Sequence, residues 1–220
     1  MIDIKISDVL KMNLPDIRLG CLEAEVSIMP SSRDLLKHID QVIEEKNSRL
    51  TIEEVNKIDV IADTKEAYRR LGKDPSRYRP SAEALTRRIV QGKGLYRVNN
   101  IVDALNIISI QHGFSIGGYD IAKLDEPVIL GIGGSGEPYE AIGRGQLNIE
   151  NLPVLRDTQG VFGSPTSDSM RTMVSDGTTS FLMVFFDFKR SELLDGALND
   201  TEFILKKYCG VKEIEVSIIN

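Results

Sequence analysis

Residues 99–113, Asn-Asn-Ile-Val-Asp-Ala-Leu-Asn-Ile-Ile-Ser-Ile-Gln-His-Gly, separate two halves of different character. Asn99 or Asn100 is an N-cap residue, Ile101, Leu105 and Ile108 recur at helical spacing, and Gly113 is a stop signal. Beyond Gly113 short apolar runs alternate with glycine-rich turns, at 128–132, 140–142, 154–156 and 179–188. That is the spacing of a compact β-rich unit. Before Asn99 the pattern is two strands followed by helices. Ile2, Ile4 and Ile6 alternate with polar residues, as do Leu22, Ala24, Val26 and Ile28. From Asp34 the period becomes helical, with Leu35, Ile39, Val42 and Ile43 on one face. Thr51 and Glu54 read as a capping box opening a helix through Ile52, Val55 and Ile58. A further helical stretch, 65–71, ends at Gly72. Pro75 and Pro80 make 72–80 a loop, and 81–90 a helix with Ala82, Leu85 and Ile89 inward and Arg87 and Arg88 outward. Thr201 reads as the cap of a last helix closed by Gly210, and Ile214, Val216 and Ile218 as a final strand. The expectation is an α+β fold, a β-rich core with flanking helices, in a single globular unit over residues 1–220.

The chain has 220 residues, a formal net charge of −6, 41% hydrophobic and 27% charged residues, which is ordinary globular composition. Its longest apolar run, residues 181–186, is far short of the roughly 18–20 residues of a membrane span. The opening MIDIKISDVL has no basic region followed by an apolar one, so it is not read as a signal peptide. Cys21 and Cys209 lie at opposite ends without a second cysteine or histidine at ligand spacing. The expectation is a cytoplasmic protein with no membrane segment, no metal site and no cofactor. His38 and His112 fall in helical segments far apart, and no Ser-His-Asp arrangement is evident.

Charge distribution is the most informative feature. Between Tyr68 and Arg97 stand nine basic residues, Arg69, Arg70, Lys73, Arg77, Arg79, Arg87, Arg88, Lys93 and Arg97, against only Asp74 and Glu83, a net +7 in an acidic protein. Tyr68, Tyr78 and Tyr96 interleave with them. Clustered cations are an electrostatic footprint for phosphate, and rings among arginines suit stacking on unpaired bases. The alternative is a solvated basic face paired with the protein's own acids.

The stretch 131–136, Gly-Ile-Gly-Gly-Ser-Gly, lacks the Gly-Lys-Ser/Thr ending of a phosphate loop and the following helix of a dinucleotide fingerprint, so it reads as a turn between strands. Residues 160–172, Gly-Val-Phe-Gly-Ser-Pro-Thr-Ser-Asp-Ser-Met-Arg-Thr, are denser in polar groups than a plain connection needs. They read either as a loop held by its own side chains or as a ligand-binding loop.

Three segments carry a family resemblance: Val98-Asn-Asn-Ile-Val-Asp-Ala-Leu-Asn106, Gly117-Gly-Tyr-Asp120 and the strands after it. They resemble the editing and tRNA-binding module of the phenylalanyl-tRNA synthetase beta chain, its paired third-and-fourth-domain unit. Arg79-Pro-Ser-Ala-Glu-Ala-Leu85 and Thr166-Ser-Asp-Ser-Met-Arg-Thr172 are similar to the free-standing branch, and the resemblance covers about residues 68–187. In the synthetase this module hydrolyses wrongly attached tyrosine from its tRNA by positioning substrate and water. Here Leu105 stands where the bacterial pattern has threonine, Gly117 where it has histidine, and Val184 where a glutamate recognises the tyrosine hydroxyl. These departures imply that the bacterial editing pocket is absent. No ATP-binding motif is present, so the chain is not read as a synthetase.

The resemblance implies a ligand pocket of Asn100, Asp103, Asn106, Asp120, Asp168, Arg171 and Thr172, with Asp103, Asp168 and the hydroxyls of Ser167 and Thr172 as candidates for orienting a water. The preferred reading is binding of tRNA or another structured RNA through the nine basic residues, or of an aminoacyl group, with hydrolysis of mischarged aminoacyl-tRNA as its extension. The alternatives are an enzyme or sensor for an amino-acid-like small molecule that does without RNA, and a structural interaction module.

Overall fold

The computed structural model describes residues 1–220. Its strands are β1 (Ile4–Ile6), β2 (Arg18–Glu25), β3 (Ser115–Asp120), β4 (Val128–Ile132), β5 (Glu140–Ala141), β6 (Gly145–Gln146), β7 (Pro153–Asp157), β8 (Gly160–Gly163), β9 (Ser180–Asp187) and β10 (Ile214–Ile219). Its helices are α1 (Asp8–Asn13), α2 (Arg33–Arg49), α3 (Asp59–Arg70), α4 (Ser81–Val90), α5 (Asn100–His112) and α6 (Leu193–Tyr208). The fold is α+β. One sheet has the order β10-β2-β9-β3 and is antiparallel throughout. A second, β1-β4-β7-β8, pairs β1 parallel to β4 and is otherwise antiparallel, and β5 and β6 form a two-stranded ribbon.

The first sheet is the middle of three layers. Its residues Leu22, Ala24, Ile116, Phe181, Met183 and Phe185 join a core with Ile101, Ala104, Leu105 and Ile108 of α5 and Leu194, Leu198 and Leu205 of α6. The alternate residues Leu19, Cys21, Tyr119, Leu182, Val184 and Phe186 join a second core with Ile4, Ile6, Val128, Leu130, Leu155 and Phe162 of the other sheet. Strand β9 is therefore covered on both faces. This explains its unbroken apolar run, because a strand with one wet face would alternate. Each of those side chains contributes roughly 1.5–3 kcal/mol through burial.

Local chemistry sets α5 closely. Asn99 caps it by accepting from the Val102 amide at 2.9 Å, and Gly113 ends it at φ +81°, where a Cβ would meet Ile58 at 2.9 Å. Ser32 caps α2 in the same way, through the Leu35 amide.

Two expected helix starts are corrected. Glu54 does accept the Thr51 amide at 2.7 Å, but the turn it closes is a short 3-10 segment, Glu54–Lys57, and α3 begins afterwards at Asp59 with no side-chain cap. Thr201 lies inside α6, where its hydroxyl donates to the Ala197 carbonyl at 2.7 Å. The helix starts a full two turns earlier, through Gly196, which reads as a breaker in sequence. Strands β3 and β8 went unread because they contain Gly117, Gly118 and Gly163. The structure needs glycine there. A Cβ on Gly118 would press on Leu105 and Phe181, and one on Gly117 or Gly163 would collide with the Tyr119 hydroxyl.

No helix is long and apolar enough to cross a membrane.

Candidate functional site

The segment after β8 runs beside the edge of β3, and a buried polar cluster forms where they meet. Tyr119 projects from β3 into the inter-sheet core, its ring edge-on to Phe162 at 4.9 Å. Its hydroxyl occupies the space above Gly117 and Gly163 and donates to Asp168 Oδ1 at 2.7 Å. The Gly118 amide donates to Asp168 Oδ2 at 3.2 Å. Two more tyrosines clamp the same loop: Tyr139 donates to the Ser167 carbonyl at 2.6 Å, and Tyr68 shares a hydrogen bond with Thr166 Oγ1 at 2.8 Å. Ser164 Oγ donates to the Ser167 carbonyl and accepts the amides of Thr166 and Ser167. Burial pushes the Asp168 carboxyl up to about 7, although its hydrogen bonds to Tyr119, Gly118 and Ser164 favour the charged form. Burial also raises the phenols of Tyr68, Tyr119 and Tyr139, with Asp168 adding to the rise at the last two, so all three stay neutral.

A second group lies nearby. Asp120 Oδ2 accepts from Thr178 at 2.8 Å and is 3.3 Å from Lys123 Nζ, while the Asp120 amide donates to the Thr172 carbonyl. Thr172 Oγ1 is buried and has no hydrogen-bond partner. Arg171 grips Asp157 with both Nη groups, at 3.0 and 2.8 Å, and also donates to the carbonyls of Lys123 and Gly160. The guanidinium ties three loop segments together.

Asn100 and Asp103 belong to the helical side. Asn100 accepts the Met29 amide and donates to the Ser27 carbonyl. Asp103 accepts from Ser31 Oγ at 2.7 Å and from the Val98 amide at 2.9 Å. Both staple the connection after β2 to the start of α5. Asn106 is half-buried on the same helix. The middle sheet separates Asp103 on α5 from Asp168, whose partner Tyr119 faces the other sheet. The expected pocket residues thus form three structural groups. Two surface hollows, one of about 80 Å³ beside Asp63, Glu66, Arg70 and Lys189 and one of about 240 Å³ between α6 and β10, contain none of them.

Of the three departures from the bacterial pattern, Gly117 and Val184 stand directly opposite each other across β3 and β9. Leu105 approaches Gly118 from the helical side. Tyr119 fills the place that a side chain at 117 would take.

The nine basic residues divide by their partners. Arg70 pairs with Glu66 at 3.5 Å, Arg97 with Asp40 at 2.7 Å, and Arg79 and Arg87 with Glu83 at 3.1 and 3.8 Å. Lys73 is buried, donating to the carbonyls of Asn148 and Glu150, with its ammonium 3.7 Å from the Tyr78 ring centroid. Arg88 lies 3.9 Å over the ring of Tyr96, itself 67% exposed. Arg69, Arg77 and Lys93 are exposed and pair with no carboxylate.

Sequence reasoning missed Tyr139 and Lys65, and it read Tyr119 only as part of a motif. The signal for Tyr119 was present: paired glycines beside an aromatic residue mark a place where a side chain crosses bare backbone.

No curated protein matches the chain in sequence. Among solved structures, an N-terminal fragment of the phenylalanyl-tRNA synthetase beta-subunit from Pyrococcus horikoshii matches with a TM-score of 0.48 and 15% identity, over 99% of this chain and 50% of that one. The chain thus spans half the length of that fragment. Residues 63–195, well over half of the chain and including α4, α5, β3 and the Asp168 loop, match the model of the B3/4 domain, and the chain belongs to that family.

Proposed function

We propose that the protein binds structured RNA, tRNA in the first place, through the basic segment of residues 69–97 around α3 and α4. The observation that carries this reading is the set of exposed Arg69, Arg77 and Lys93, which lack acidic partners, together with exposed Tyr96 backed by Arg88. Cations not neutralised within the protein are available to phosphates, and an exposed ring on an arginine is a stacking platform. Membership of the B3/4 family supports the same reading. Binding is favoured over hydrolysis of an aminoacyl ester, because Asp103 and Asp168 each already accept two hydrogen bonds from the protein itself. Both carboxylates serve to hold their own segments of chain in place.

The test is titration of the purified protein with tRNA at several salt concentrations. Affinity should fall steeply with salt, by about 0.9 in log–log slope for each phosphate neutralised in a helical region. Absence of binding, or affinity independent of salt, overturns the reading.

A further inference from the structure

Three cations converge on one buried carboxylate between α3 and α4. Glu83, in the first turn of α4, is only 3% exposed. Arg79, just ahead of α4, and Arg87 within it stand four residues before and after Glu83, and Glu83 Oε1 is 3.1 Å from Arg79 Nε and 3.8 Å from Arg87 Nη1. From α3, Lys65 Nζ lies 3.2 Å from Oε2 as an ion pair and also donates to Asn56 Oδ1 at 2.7 Å, while Oε2 accepts no hydrogen bond. Arg87 is tethered further by the Ile52 carbonyl. One carboxylate against three cations leaves a formal excess of two positive charges.

Arg79 is the group turned outward. Its side chain is 42% exposed, and its only hydrogen bond is from Nε to Glu83. A guanidinium held by its Nε edge keeps both Nη groups as a planar two-pronged donor, the shape that matches two oxygens of a phosphate. Because Glu83 already restrains the side chain, less conformational freedom is lost on binding.

We propose that Arg79, Arg87 and Lys65, with Glu83 as their positioning residue, form a phosphate-docking point. Resting on the RNA reading above, its occupant is a backbone phosphate of the bound RNA.

The experiment compares wild type, R79A/R87A, R79K and E83Q, each checked for folding by circular dichroism. Two probes are used, tRNA across a salt series and inorganic pyrophosphate by titration calorimetry. R79A/R87A should bind tRNA at least tenfold more weakly, lower the salt slope by about 1, for the one phosphate no longer neutralised, and lose pyrophosphate binding. R79K keeps charge and fold but not the fork, and should also weaken both. It carries the test if the double variant does not fold. E83Q raises the local charge by one, so a carboxylate that merely opposes phosphate would give tighter binding. Positioning gives weaker binding.

A folded R79A/R87A protein with unchanged tRNA affinity and slope overturns the docking point while leaving the RNA reading intact, as does R79K with full affinity. Wild type that ignores tRNA yet binds pyrophosphate in an Arg79-dependent way overturns the RNA reading and keeps the docking point for a free phosphate compound. Binding of neither probe overturns both.

Discussion

The Asp168 loop and the α3–α4 face are both rich in polar residues, but they dispose of their hydrogen-bonding capacity in opposite ways. At the loop, Tyr68, Tyr119 and Tyr139 reach in from other elements and take up Thr166, Asp168 and Ser167. The polar groups there are spent on holding the chain in place. Around α3 and α4, Arg69 at the end of α3, Arg77 in the loop between the helices and Lys93 just past α4 stay exposed without acidic partners, and Arg79 shows an open edge. Polar density in a sequence therefore does not by itself mark a binding site. What matters is capacity left over after the protein has satisfied its own groups.

The largest expected contrast is in stability. Tyr119→Ala removes a fully buried ring and strands Asp168, and should cost about 3–5 kcal/mol in denaturant unfolding. A loss under 1 kcal/mol would mean that the loop is not held by this residue. Gly117→Ala should cost about 1–3 kcal/mol, because its Cβ collides with the Tyr119 hydroxyl. The double variant with Tyr119→Phe should recover part of that loss.

Asp168 gives a pH signature. Its folded carboxyl titrates near 7, above the ordinary 3.8, so between these values the folded state holds a proton that the unfolded chain releases. Its contribution is full below the ordinary value and is lost as pH rises through about 7, with a slope of at most about 1.4 kcal/mol per pH unit. Asp168→Asn should flatten the stability profile over that window. An unchanged profile would show that another group sets it. The smallest effect belongs to the exposed cations. Arg69→Ala and Arg77→Ala should each shift stability by less than about 0.5 kcal/mol, yet each should lower the salt slope of tRNA binding by about 1.

What could be read from sequence follows the range of the interactions. The ends of α5 were legible because Asn99 and Gly113 act on neighbouring backbone, and β9 was legible because burial on both faces writes a continuous apolar run. The early start of α6 was hidden by Gly196, whose cost tertiary packing of Leu194, Ala197 and Leu198 offsets. At the site, the polar density of residues 160–172 was visible, but its partners were not. Tyr68, Tyr119 and Tyr139 bond to it from 98, 49 and 28 residues away, distances that no local pattern encodes. Likewise the net +7 of the basic segment and the four-residue spacing of Arg79, Glu83 and Arg87 were countable, whereas the burial of Lys73 against the Asn148 and Glu150 carbonyls and the arrival of Lys65 at Glu83 depend on distant segments.

The pairing of β2 with β9 has a kinetic meaning as well. Arg18 meets Asp187 across 169 residues of intervening chain, and β10 joins the far side of β2 only after α6. Until both arrive, an apolar strand made early in synthesis has neither neighbour. Closing so long a loop is slow, while α5, β3 and β9 lie closer together in sequence. Folding should therefore nucleate around the antiparallel union of β3 with β9, with β2 docking late. Core substitutions in β2, such as Leu22→Ala, should accelerate unfolding far more than they retard folding, whereas Phe185→Ala should do the reverse.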